Sequence, residues 1–152
     1  MTDIPEKVRK LWAKSDLMIW ESDYWIAAFD HADKSNVLRW LEGTDGQESY
    51  LSIIFDNHEI SVIVADENWQ EVREKMPFRQ EYGPLRGITF DVPLDIEVSG
   101  YLRPAIDRLA DAGISVVPQC ALIYDHIFVS VKDAQQGIDI LKKLQHDAKT
   151  GQ

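Results

Sequence analysis

The chain is poor in the features that staple a protein, anchor it in a bilayer or draw it to nucleic acid. One cysteine, Cys120, stands alone among 152 residues, so no disulfide forms within the chain and a reducing cytoplasm is the expected setting. No apolar run approaches the length of a bilayer span, and residues 1–7 lack the basic and then apolar pattern of a secretory leader. A soluble protein with no membrane partner is therefore expected. Basic residues are few: 16 Lys and Arg against 26 Asp and Glu give a net charge of −10, which repels phosphate backbones and makes nucleic acid an unfavourable partner. A phosphate-binding glycine loop is missing, because Gly43-Thr44-Asp45-Gly46 has neither the lysine nor the following helix. His31, His58, His126 and His146 fall at no metal-ligand spacing, so neither a metal nor a cofactor is expected.

What the chain does hold is a hydrophobic content of 45%, enough for a core of ordinary size. Its charge is uneven. Residues 1–70 carry 14 acidic and 6 basic side chains and all five tryptophans, at 12, 20, 25, 40 and 69. An acidic solvated surface accounts for the charge, and a separate partner face on each half is the alternative. The tryptophans read as core and interhelix packing, or else as an apolar binding face.

Periodicity gives the elements. Val8, Leu11 and Trp12 predict a short amphipathic helix over 5–15, and the β-forming run 24–29 predicts a buried strand. A brief helix through Val37, Leu38 and Leu41, capped by Asp33 or Ser35, ends at Gly43, and a loop follows at 44–47. Strands at 50–55 and 59–65 join through Asp56-Asn57-His58, whose Asp and Asn tolerate positive φ. Asp66 is the expected cap of a helix running to Pro77. The order then repeats: a strand at 86–92 stopped by Pro93, a helix with Leu102, Ala105, Ile106, Leu109 and Ala112 on one face, and Gly113 at its C-terminal cap. Strands at 114–117 and 127–131 follow, with a bulge at Pro118. Asp133 and Gln136 form a capping-box variant for a last helix through Leu144, before a frayed tail at 149–152.

Two successive βαββα passes predict an α+β protein of tandem ferredoxin-like units, antiparallel sheets covered by helices on one face, through internal duplication. The expected boundaries are 1–77 for the N-terminal helix and first unit and 78–148 for the second, with 78–85 a strand shared between them.

Within the second pass, Pro93, Leu94, Asp95, Ile96, Gly100 and Leu102 match a segment of the type P-L-D-F-S-x-x-G-x-L. Leu109, Ala110, Ala112, Gly113, Ile114 and Ser115 match L-A-x-A-G-I-S, and Asp125 precedes the strand 127–129. These residues resemble the ACT domain, in the variant found in small stand-alone tandem-ACT proteins related to the cytosolic arginine sensors. The resemblance covers 88–144 and reaches the hairpin 50–64 only by strand order. The resemblance implies a regulatory protein that binds a small molecule, an amino acid, without catalysis of its own, and a homodimer. Where the family tends to place a pair of hydroxyl residues, this chain has Cys120 and Ala121, and an aromatic after the aspartate becomes His126.

An amino acid needs N–H donors for its carboxylate and acceptors for its ammonium. The helix start lined by Ser99, Gly100, Tyr101 and Leu102 offers such donors and a positive dipole end. Gly100 serves either close ligand approach or simply the turn. Asp125, Asp95 and Glu97 are candidate acceptors, Asp95 equally a cap or turn residue. The expected ligand residues are thus Ser99, Gly100, Tyr101, Leu102, Cys120, Ala121 and Asp125, at the junction of the two units or between subunits. Two rivals remain: an interaction module that kept the fold and lost the pocket, and an enzyme, for which no constellation speaks. Asp125 and His126 are strand neighbours that point apart, and Cys120 lacks a basic or helix-start context.

Overall fold

The computed structural model describes residues 4–44 and 49–151, so most of the loop expected at 44–47 lies outside the described residues. Among those described, the order is α1 (Glu6–Lys14), β1 (Asp16–Phe29), α2 (Lys34–Glu42), β2 (Ser52–Phe55), β3 (Ile60–Ala65), α3 (Asp66–Val72), β4 (Gln80–Asp91), α4 (Arg103–Asp111), β5 (Val116–Cys120), β6 (Asp125–Ser130) and α5 (Ala134–Thr150). After α1 the order βαββα occurs twice. The strands form antiparallel pairs in the order β2-β3-β1-β4-β6-β5, an α+β arrangement of ferredoxin type.

The chain divides into two compact units, a central one of Trp20–Arg86 and a terminal one made of the residues up to Ile19 and those from Gly87 onward. This differs from a division at residue 77: α1 groups with the C-terminal half because its buried Val8 and Trp12 belong to the same core as Leu141 and Leu144 of α5. Both β1 and β4 contribute residues to each unit.

In the central unit, β1 pairs with β3 from Tyr24 opposite Ala65 to Phe29 opposite Ile60. Side chains alternate along a strand, so Ala27, Phe29, Ile60, Val62 and Val64 share the face that packs on Val37 of α2 and Trp69 of α3. Phe29, Trp40 and Phe78 surround Trp69 at centroid distances of 6.0, 6.0 and 5.2 Å. Its indole N–H donates to the Glu81 carboxylate at 2.7 Å, and Arg73 grips the same carboxylate. In the terminal unit, Ile88 and Phe90 of β4 and Ile127 and Val129 of β6 face α1, α4 and α5 in one apolar cluster. The alternate positions are buried as well: Tyr24, Ile63, Leu85 and Phe128 belong to neither helix-facing cluster yet are sealed from solvent.

Several local expectations give way to stronger contacts. β1 starts eight residues before 24, because Glu21-Ser22-Asp23 is accommodated by the ladder and by an Asp23–Arg86 ion pair of 2.6 Å. Asp66 caps nothing; it is the first helical residue, and its carboxylate receives Trp25 Nε1 at 2.6 Å and Gln70. Neither Asp33 nor Asp133 makes a side-chain cap, and a 3-10 turn leads into each of α2 and α5 instead. Among the described residues only glycines take positive φ, so the 56–58 turn is held by the Asp56 carboxylate accepting from the amides of His58 and Glu59 at 2.6 and 2.9 Å. β5 runs through Pro118, which an edge strand tolerates because its missing N–H faces no neighbour. The tail is helical to Thr150 and closes on Gly151 at φ 74°.

Candidate ligand site

The site expected from sequence is built on the connection from β4 to α4 and on the β5–β6 turn, both in the terminal unit. β4 delivers Val92, and Pro93 ends the ladder. The connection then folds on itself: the Asp95 carboxylate accepts from the Glu97 amide at 2.9 Å, and the Asp95 carbonyl accepts from Val98 at 2.8 Å. Asp95 is therefore a turn residue. The Leu94 amide donates to the Ile123 carbonyl at 2.8 Å, which ties the connection to the β5–β6 turn.

Gly100 has φ +79°, and a Cβ built there meets nothing within 4 Å. Positive φ is the reason for glycine at this point, and open space lies beside it. Tyr101 turns the opposite way. Its ring is buried, stacked on Trp12 at 5.2 Å and edge-on to Phe90 at 5.9 Å. Its hydroxyl donates to Ser15 Oγ at 2.8 Å, while its carbonyl accepts from Trp12 Nε1 at 2.9 Å. Burial pushes the phenol well above its ordinary range, the Ser15 hydrogen bond opposes that, and the Asp125 charge adds to it. Tyr101 thus contributes its backbone to the corner and its side chain to the core.

Leu102 caps α4 in helical conformation, its carbonyl accepting from Ala105 and Ile106 at 3.1 and 3.0 Å, and Pro104 occupies the first turn. Within the described residues no hydrogen bond takes up the amides of Ser99, Gly100, Tyr101, Leu102 or Arg103. Five successive donors at the positive end of a nine-residue helix form a potential cradle for an anion.

On the hairpin, Cys120 pairs with Asp125 across the β5–β6 ladder, and the Ala121 amide closes the turn on the Tyr124 carbonyl at 3.0 Å. Cys120 is exposed as a residue, yet loss of water around the sulfur and a hydrogen bond to Asp125 push its thiol up to about 11. His126, on the other face of β6, meets Thr89 Oγ1 at 2.8 Å, and burial lowers its pKa. The charge of Asp125 acts on Tyr101, Cys120 and His126 alike. The structure therefore gathers Tyr101, Cys120 and Asp125 within electrostatic reach of one another beside the start of α4. Ser99 and Ala121 are exposed at its edge. Among the described residues no group of three or more His, Cys, Asp and Glu is arranged to hold a metal ion, and no helix is long and apolar enough to cross a membrane.

Sequence reasoning missed the surroundings of Gly100 on its helix-facing side. There Arg9 of α1 joins Arg103, Arg108 and Asp111 of α4 and Asp147 of α5 around a cleft of about 580 Å³. The spacing of Arg103, Asp107, Arg108 and Asp111 along one face of α4 was a usable signal; the participation of Arg9, about ninety residues away in sequence, was not.

No protein-family model and no curated protein matches this sequence. Solved structures do. A Vibrio cholerae protein of unknown function, named as a possible transport protein, superposes with a TM-score of 0.68 at 21% identity, over 91% of this chain and 95% of that one. An Agrobacterium tumefaciens protein gives 0.67 at 20% identity over 86% and 89%. The regulatory subunit of aspartate kinase from Thermus flavus gives 0.60 at 7% identity over 84% and 95%. At such identities the likeness establishes the fold, an ACT-like α+β arrangement of ferredoxin type.

Proposed function

We propose that this chain is a cytoplasmic regulatory protein of the ACT type that binds an amino acid and performs no catalysis. The carboxylate of the ligand sits on the free amides of Ser99 to Arg103, and Asp125 receives its ammonium. Cys120 and Ala121 border the ligand through their backbone and the small size of their side chains. The observation that carries this reading is the row of five amides with no acceptor of their own, opening past a glycine whose missing Cβ leaves room. The double βαββα order supports a pair of tandem ACT-like units, and the fold likeness to a regulatory subunit of aspartate kinase supports a regulatory role. A homodimer is part of the proposal. Regulation requires that the ligand bind one conformation more tightly than another.

A second reading has its own observation. Ile96, Leu122 and Ile123 are 77%, 74% and 46% exposed on the β4–α4 connection and the β5–β6 turn, an apolar tip suited to another protein.

A thermal-shift screen across the common amino acids separates the two. Saturable, concentration-dependent stabilisation that Asp125→Asn removes is the expected result. A flat screen, with a partner captured through the apolar tip and lost on Leu122→Ser, replaces the sensor by the interaction module.

A further inference from the structure

The cleft between α1, α4 and α5 overlaps the proposed amino-acid site only at Gly100 and Arg103, and its charges are unevenly satisfied. Its walls carry three arginines and three aspartates. Two of each are paired: Arg103 with Asp107 at 3.4 Å and Arg108 with Asp147 at 3.1 Å, the latter carboxylate also holding Lys143 at 3.0 Å. Among the described residues no ion pair or side-chain hydrogen bond takes up the Arg9 guanidinium or the Asp111 carboxylate. Among the described residues the cleft thus presents one guanidinium and one carboxylate without a side-chain partner, over an apolar floor that includes Leu144 and Ala148.

The two free charges lie at opposite ends. α5 runs antiparallel to α4: Gly137 near its start lies by Ile114, just past the end of α4, whereas Gly151 at its end lines the same cleft as Gly100, just before the start of α4. The end of α5 accordingly lies by the start of α4. Arg9 belongs there, since its Nη1 would stand 3.6 Å from a Cβ on Gly151. Asp111 is the last residue of α4, about 12 Å along the axis from Arg103 at 1.5 Å per residue. A free amino acid is too short to meet both, and an extended chain of three residues spans roughly 10 Å.

We propose that this cleft is a binding site for a short zwitterionic peptide of about three residues, with its C-terminal carboxylate on Arg9 and its ammonium at Asp111. The guanidinium fork suits bidentate capture of a carboxylate, and a volume of about 580 Å³ lies within the range of small-ligand sites. The amides of α4 add to the positive potential at the Arg9 end. α1 precedes both βαββα passes, and through Arg9 it gives this site a charge that neither pass supplies.

The test is titration of the full chain with trialanine, followed by calorimetry and by amide chemical shifts. Saturable binding in the millimolar range or tighter is expected, with shifts around Arg9, Asp111 and Ala148. Arg9→Gln and Asp111→Asn should each weaken it about tenfold while melting like the parent, because neither side chain pairs with another described residue. Asp125→Asn, in the amino-acid site, should leave it unchanged, which keeps failure of one site distinguishable from failure of the other. The proposal is overturned by absence of saturable binding, by equal affinity of the Arg9→Gln protein, or by alanine binding in the cleft as tightly as trialanine. Succinate binding there with an affinity that Asp111→Asn does not raise overturns it too.

Discussion

Removing the Tyr101 hydroxyl tests whether this residue anchors the corner or meets the ligand. Tyr101 is 3% exposed and Ser15 fully buried, and the O–H···O distance of 2.8 Å is close to ideal. Tyr101→Phe keeps the ring on Trp12 and Phe90 but leaves Ser15 Oγ without its donor, a loss of about 1–2 kcal/mol. For a chain of this size that corresponds to a melting shift of about 2–8 °C. Ser15→Ala strands the phenol at a similar cost. The double variant, with both polar groups gone, should cost little more than either single one, so the cycle returns a coupling of about 1 kcal/mol. Urea unfolding of the four proteins measures it. The phenol's pKa is raised on folding, so its contribution is complete below its ordinary value of 10.0 and is lost as pH rises beyond that; Tyr101→Phe should flatten this alkaline decline. Amino-acid affinity should stay within about twofold, because the ring faces the core. Additive single losses, or a selective loss of ligand affinity at unchanged stability, would refute the anchoring role.

Three further outcomes are expected. Glu81→Leu leaves the Trp69 indole N–H unpaired and should cost about 1–3 kcal/mol in urea unfolding. The hydrogen bond from Arg73 holds the Glu81 carboxyl below its ordinary 4.5, so its contribution is present above that pH and fades as pH falls; the variant should show a shallower acid decline. Gly83→Ala brings a Cβ to 2.8 Å from the Trp25 ring and 2.9 Å from the Tyr24 carbonyl, and overpacking of about 1–3 kcal/mol should appear as a lower urea midpoint. Cys120, held up to about 11, should react with iodoacetamide at pH 8 about tenfold more slowly than an unperturbed thiol despite its exposure, and Asp125→Asn should recover part of the rate, the part due to loss of water around the sulfur remaining.

Much of the architecture was legible because it rests on local pattern. The stripe from Leu102 to Ala112 announced α4, Gly113 takes φ +74° where a helix cap was expected, and the Asp56 turn joins two strands as read. What was not legible depends on partners distant in sequence. The polar run Glu21-Ser22-Asp23 interrupts β1 in sequence and hides its first half until the β ladder and Arg86 satisfy it. Asp66 has the sequence position of a cap but lies inside the helix, and its carboxylate takes the Trp25 indole instead. At the candidate site, Gly100 and the amides after it were readable from the strand–glycine–helix order. The inward turn of Tyr101 was not, because it depends on Trp12 and Ser15, eighty-six or more residues away.

The two βαββα passes differ at the same topological point, and the difference bears on why one corner is the candidate. In the first pass β1 ends at Phe29 and a 3-10 turn begins at His31, so Asp30 alone makes the connection. Its carboxylate already accepts from the Ala32 amide and from Arg79 at 3.0 Å, which fills the place where a ligand anion would sit with the protein's own negative charge. In the second pass the connection from Asp91 to Arg103 is long, contains a glycine at positive φ, and leaves its last five amides without an acceptor. A donor row with nothing to donate to is tolerated only where water or a ligand reaches it. Recurrence of the βαββα order therefore does not repeat the corner: the carboxylate that closes the first is what the second lacks, and under the proposed function an incoming anion would supply it.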